Sequence, residues 1–230
     1  MQGSKGAGVQ RQSSSIWLIA IAGAALAAIA GAMMPWPWLH YVAKPAATLL
    51  VWAMVACAPS SERAYRWGVM AGLALSTLGD VFLMLPSDWF VFGLGSFLLA
   101  HIAYLLALSR RARLFAAAWP FLAYAVLAGA VLSVLWPHLP GELRLPVVVY
   151  VIVLAAMAAQ AAAVWWRRRD AASALAAWGG LSFVMSDATL AIDRFALPFA
   201  AASAAILLSY WLAQSLIGLS VSRAAPMQPQ

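Results

Sequence analysis

The sequence predicts an all-α polytopic membrane protein, a bundle of eight transmembrane helices. Three observations carry that reading. Of the 230 residues, 65% are hydrophobic and 9% charged, against roughly 45–50% and 25% in soluble domains. The apolar residues gather in eight runs near the length, about 20 residues, that crosses a bilayer. The charges fall mainly between the runs.

The runs lie at 16–34, 38–57, 64–85, 89–109, 115–135, 144–166, 172–192 and 197–221. Each is continuously apolar, which fits helices and not barrel strands, whose apolar residues alternate over about ten positions. The first run follows Lys5 and Arg11 and reaches Ala30-Gly31-Ala32, which looks like a signal-peptide cleavage site. Its 19 apolar residues exceed the usual signal core of about 7–15, so it is read as a retained first helix. The second run carries Lys44 and Pro45, the third Asp80, the fourth His101 and Tyr104. The fifth and sixth are bounded by Arg113, Arg144 and Arg167; the seventh carries Asp187 and the eighth Tyr210 and Gln214. Residues 16–221 are therefore expected as one transmembrane domain, with 1–15 and 222–230 as disordered cytoplasmic tails.

Eleven of the 14 Lys and Arg residues fall on one side of this topology. They are Lys5, Arg11, Arg63, Arg66, Arg110, Arg111, Arg113, Arg167, Arg168, Arg169 and Arg223; Lys44, Arg144 and Arg194 fall on the other. The positive-inside rule then places both termini in the cytoplasm. The net charge of +7 marks topology beside helix ends, which removes nucleic acid as a partner. Trp36, Trp38, Trp89 and Trp136 at one set of helix ends, with Trp67, Trp165 and Trp166 at the other, read as interfacial belts. The lone Cys57 excludes an internal disulfide and any CxxC site. Gly72, Gly79, Gly93, Gly95, Gly179 and Gly180 read as positions of close helix approach.

Chemistry is expected where polar groups lie inside spans, because an ionised side chain at mid-membrane costs about 2.5–3.5 kcal/mol on insertion scales. Of seven acidic residues, Glu62, Asp88, Glu142, Asp170 and Asp193 lie near helix ends, whereas Asp80 and Asp187 lie within spans. Both are in helices of the same direction, roughly 7 Å below the outer end at a rise of about 1.5 Å per residue. Lys44, His101, Tyr104, Tyr210 and Gln214 fall between that depth and mid-membrane. Together they suggest one cavity opening to the outer leaflet. Each also has a packing interpretation: interhelical hydrogen bonds for His101, Tyr210 and Gln214, snorkelling for Lys44. Asp80 in Leu-Gly-Asp-Val-Phe-Leu and Asp187 in Met-Ser-Asp-Ala-Thr-Leu stand four helices apart, as two parallel four-helix repeats would place them. No GxSxG, P-loop, HExxH or GxGxxG motif is present, and neither a metal nor another cofactor is expected.

These residues carry a resemblance. Lys44-Pro45, Gly79-Asp80 followed by Val-Phe-Leu-Met-Leu, Phe92-Gly93-Leu94 with Phe97, His101 and Tyr104, Phe183 through Ser186-Asp187, and Tyr210 with Gln214 follow one another in order. Over about 40–221 the chain resembles the YhhN-type lysoplasmalogenase family of eight-helix membrane proteins. The resemblance implies cofactor-free hydrolysis of the vinyl-ether bond of a lysophospholipid, giving a fatty aldehyde and a glycerophospho head group.

Enol-ether hydrolysis needs a carboxylic acid still protonated near neutral pH and a negative group beside the oxocarbenium ion. Two carboxyls in a poorly solvated cavity can supply both, as glycosidase carboxylate pairs do. Asp80 and Asp187 are therefore the candidate acid–base pair, with their roles not distinguished. His101 is the candidate orienting or relay group, Lys44 a candidate for the lipid phosphate, and Tyr104, Tyr210 and Gln214 candidate cavity wall. Two other functions fit the same buried groups: a small proton-coupled transporter and a non-catalytic lipid-binding scaffold. Membrane lipids are expected partners, and oligomeric state is left open.

Overall fold

The computed structural model describes the backbone of residues 3–224 and the side chains of 15–224. Eight helices follow in order: α1 (Gly3–Met33), α2 (Pro37–Cys57), α3 (Arg63–Met84), α4 (Phe90–Ser109), α5 (Trp119–Leu135), α6 (Gly141–Arg168), α7 (Ala171–Ala191) and α8 (Ala202–Ser222). Each is long and apolar enough to cross a membrane, α5 together with the 3-10 turn Trp136–His138 that continues it. The chain is thus a multi-pass membrane helix bundle, the fold class expected from its composition.

Helix ends depart from the apolar runs at three places. α5 begins at Trp119 instead of 115, because Phe115 takes a left-handed backbone, φ 59°, and turns the chain. Its ring packs 4.2 Å from that of Phe121, centroid to centroid. α7 continues through a π turn at Ile192–Ala196, and the loop beyond it is pinned by the Phe199 N–H on the Asp193 carboxylate, 3.1 Å, which delays α8 to Ala202. α1 has its apolar part at Ser15–Met33, and the polar residues ahead of it, expected as a tail, continue the same helix in backbone from Gly3. The other ends of the expected tails, 1–2 and 225–230, lie outside the described residues.

Six helices close a ring in the order α2, α3, α4, α6, α7, α8 and back to α2; α1 leans on α2 and α8, and α5 on α6. The order repeats after four helices. α1 and α5 are peripheral, α2 meets α3 as α6 meets α7, and α3 meets α4 as α7 meets α8. The two-repeat arrangement suggested by the aspartates is therefore visible in the packing. Close approach relies on small residues, as lipid offers no hydrophobic drive between helices. Gly180 lies against the backbone of Ala158, and Gly72 lies beneath the ring of Tyr104. A Cβ at Gly72 would overlap that ring, which is fully buried and cannot swing away. Gly72→Ala is expected to cost about 1–3 kcal/mol, read as a lower melting temperature in detergent. Gly95→Ala, with nothing within 4 Å of the added carbon, is expected to leave it unchanged.

At the end where α4 and α6 stop and α3 and α7 start, four charges join four helix termini. Glu62 receives Arg111 Nε at 2.9 Å and Arg168 Nη2 at 3.1 Å. Asp170 receives Arg168 Nε at 2.8 Å and lies 3.6 Å from Arg111 Nη2. Arg111 has no exposed side-chain surface and sits 4.9 Å over the Tyr65 ring. Asp170 also caps α7, accepting the Ser173 N–H at 2.6 Å. Partial burial alone would push its carboxyl up, but the Ser173 and Arg168 hydrogen bonds and the Arg111 charge hold it below the usual carboxylate range.

Candidate active site

The other end of the ring holds the residues singled out from the sequence. Asp80 is on α3, four residues or roughly 6 Å of helix before its end at Met84. Asp187 is on α7, again four residues before its end at Ala191. Both face one chamber of about 1120 Å³, open mouth included.

Asp80 is buried and receives three donors. Thr48 Oγ1 and the Tyr210 hydroxyl each donate to its Oδ2 at 2.8 Å, and Lys44 Nζ lies 3.6 Å from Oδ1. Lys44 and Thr48 stand one turn apart on α2, so both reach the same carboxylate. Trp211 Nε1 supports Thr48 from behind at 3.4 Å. Two hydroxyls and one ammonium, from α2 and α8, thus converge on a single carboxyl.

Asp187 is arranged differently. The Tyr150 hydroxyl donates to its Oδ2 at 2.5 Å, and His101 Nε2 lies 3.3 Å from the same oxygen and 3.0 Å from the Tyr150 hydroxyl. Because Tyr150 gives its proton to Asp187, it accepts from His101, which fixes the ring proton on Nε2. His101 Nδ1 is buried without a partner, which an unprotonated nitrogen tolerates better than an N–H would. Asp187 keeps 15% of its side chain exposed, against 2% for Asp80. Its Oδ1 has no hydrogen bond among the described residues.

The two carboxyls repeat one pattern. Each is held by the helix before its own, α2 for Asp80 and α6 for Asp187. Each is also held by the last helix of the opposite repeat, α8 for Asp80 and α4 for Asp187. In both α2 and α6 a proline inside the helix, Pro45 or Pro146, precedes the donor by about one turn. The internal symmetry thus reaches the site itself.

The remaining walls are apolar except at Ser186 and Tyr124. Leu94 and Phe97 of α4, Val151 and Leu154 of α6 and Leu207 of α8 face the space, and α5 closes it from Tyr124 to Leu135. That stretch of α5 spans roughly 16 Å. Among the described residues no three His, Cys, Asp or Glu side chains converge, so no metal-ligand cluster is formed.

Three expectations change in detail. Lys44 lines the chamber but is 8% exposed, with its Nζ paired to Asp80. Tyr104 and Gln214 do not line the chamber; they bond to each other at 2.7 Å one layer behind His101 and Phe183. Their deeper positions on α4 and α8 put them below the carboxylates. Thr48 and Tyr150 were not singled out from the sequence. An isolated hydroxyl in an apolar helix carries no signal until its neighbouring helix is known. The spacing of Thr48, four after Lys44, is the one trace that pointed to it.

The YhhN family profile matches residues 39–221. Curated relatives include "Lysoplasmalogenase TMEM86A" of Bos taurus, 32% identical over 166 residues, covering 70% of this chain and 66% of the relative. "Lysoplasmalogenase TMEM86B" of Homo sapiens is 33% identical over 166 residues, 71% of this chain and 67% of the relative. "Lysoplasmalogenase" of Mycobacterium tuberculosis is 36% identical over 190 residues, 77% of this chain and 70% of the relative. The chain thus spans about two thirds of the length of these relatives. No solved structure matches the chain.

Proposed function

The chain belongs to the YhhN family, and from that premise we propose that it is an integral membrane hydrolase of the alkenyl-ether bond of lysoplasmalogens. The relatives named lysoplasmalogenase support the reaction class. The observation that carries the reading is the pair of differently held carboxyls on one apolar chamber. It suits a single-chain lipid whose reacting bond lies just inside the membrane.

Asp187 delivers a proton to the β-carbon of the enol ether, the carbon next to the one bearing oxygen. The resulting oxocarbenium ion develops its charge beside Asp80, which serves in this scheme as the counter-anion, with Lys44, Thr48 and Tyr210 around it. Fixed charge of this kind acts without reorganising at the moment of reaction. Water then adds to the cationic carbon and returns its proton to Asp187, as the acid residue of a retaining glycosidase does when it switches to base. The hemiacetal collapses to a fatty aldehyde and the free hydroxyl of the glycerol. One water is consumed and no redox change occurs.

Tyr150 and His101 are positioning residues in this scheme, orienting Asp187 through its Oδ2 so that Oδ1 is left to the substrate. Tyr150→Phe is expected to lower kcat about tenfold with KM nearly unchanged, since the lost bond orients the acid and does not bind lipid. The test of the reaction itself is release of fatty aldehyde and glycerophospho head group in equal amounts from an alkenyl lysophospholipid by purified protein. Absence of aldehyde from folded protein overturns the proposal.

A further inference from the structure

The chamber that holds the carboxyls is apolar apart from them, their partners, Ser186 and Tyr124, and its one cation among the described residues, Lys44, is paired with Asp80. A lysophospholipid drawn into it must leave its charged head elsewhere. Directly beside the chamber, and sharing Leu83 and Phe90 with it, is a second recess of about 670 Å³, open to solvent. Its floor is the 85–89 loop between α3 and α4, and its far wall is the π turn that follows α7.

Three features of the recess are specific. Arg194 lies flat over the Phe90 ring, 4.0 Å from guanidinium carbon to centroid, and Phe90 in turn packs edge-on against Phe195 at 5.6 Å. Only Nη2 of Arg194 is engaged among the described residues, on Asp88 at 3.0 and 3.3 Å. Its Nε and Nη1 have no partner among the described residues, and release of Nη2 from Asp88 completes a planar two-donor fork of the kind that phosphate takes. Asp88 is 76% exposed on its side chain, and the Trp89 ring stands next to it on the same recess. A carboxylate beside an aromatic ring is a site for an alkylammonium group.

Opposite charges are thus set side by side at the chamber mouth. Arg194 follows Asp187 by seven residues, roughly 10 Å of helix. The glycerol unit between the ether oxygen and the phosphorus, together with the reach of an arginine side chain, spans that separation. The Arg194–Asp88 pair is solvent-exposed, so exchanging it for ligand contacts sacrifices little.

We infer that this recess is the head-group site for a zwitterionic glycerophospholipid, with Arg194 taking the phosphate and Asp88 with Trp89 taking the ammonium. The inference rests on the lipid substrate proposed above but is separable from its hydrolysis. It also fixes the direction of the bound lipid: head at the 85–89 loop, chain along α5 toward Tyr124.

The test is equilibrium binding of a saturated 1-O-alkyl glycerophosphocholine, which has no vinyl ether to protonate, to the detergent-purified full chain. A 1-O-alkylglycerol, lacking the head group, is measured in parallel. Arg194→Gln is expected to weaken the phosphocholine lipid about tenfold or more while changing the alkylglycerol less than about twofold. Arg194→Lys should recover part of the loss through its point charge. Asp88→Asn should weaken the phosphocholine lipid but not the 1-O-alkyl glycerophosphate, which has no ammonium. Equal losses for both lipids in Arg194→Gln would make the pair a structural latch and overturn the site. So would unchanged phosphocholine binding, or no binding by the wild type. Aldehyde release is scored separately, so a chain that binds head groups selectively but cleaves nothing would keep this site and lose the reaction.

Discussion

Asp187→Asn is expected to lower turnover of an alkenyl lysophospholipid about 100- to 10,000-fold, the range over which a general acid acts, with the melting temperature nearly unchanged. Asn preserves shape and still accepts from Tyr150, but it has no proton to give to carbon. Asp80→Asn is expected to lose turnover to a similar extent for another reason: the developing cation loses its fixed counter-charge. That variant also leaves Lys44, 8% exposed, without its anion. An unmatched buried charge costs about 3–5 kcal/mol, so the melting temperature falls as well. Adding Lys44→Met to Asp80→Asn should restore the melting temperature and leave turnover lost. Thermal unfolding and aldehyde release, measured on the same preparations, separate the two effects. Full turnover in either single variant contradicts the assignment of that carboxyl.

Arg111→Ala is expected to destabilise the bundle by about 3–5 kcal/mol without changing the chemistry at the far end of the ring. The guanidinium is enclosed between Glu62, Asp170 and the Tyr65 ring, and its removal leaves Glu62 half-satisfied among helix ends. Arg111→Lys should not rescue it, because one ammonium cannot reach Glu62 and Asp170 with the same spread of donors. The measurement is the melting temperature in detergent beside kcat of the surviving folded fraction. A pH dependence accompanies it. Asp170 has its folded carboxyl held below the ordinary value, so the stability it contributes is complete above the unfolded value of about 4. It is lost as pH falls below that, through the folded value. In Arg111→Ala that acid-side loss should be smaller, because one of the charges holding Asp170 down has gone.

The fold and the two carboxyls were legible in the sequence for the same physical reason: lipid tolerates few polar groups, so runs of apolar residues mark helices and the charges inside them stand out. Asp80, Asp187, His101 and Lys44 could be named that way. Their pairing could not. That Lys44 meets Asp80 while His101 meets Asp187 depends on which helices adjoin in the ring and on their rotation about their axes. Arg111 shows the same limit. Beside Arg110 and Arg113 it reads as one of three topology charges, and only the phase of α4 against Tyr65 turns it inward. Arg194 and Asp88 are 106 residues apart, and each alone reads as an ordinary helix-end charge. Their meeting beside the chamber is a product of the two-repeat packing, which the Gly-Asp and Ser-Asp elements only suggested.

The central claim is protonation at carbon, and hydrolysis in D₂O tests it most directly. An alkenyl lysophospholipid is turned over by the wild type in heavy water, the aldehyde is trapped as it forms, and its mass is read. The account predicts an aldehyde of full chain length carrying one deuterium on the carbon next to the carbonyl. An unlabelled aldehyde, one shortened by a carbon, or none at all would contradict it.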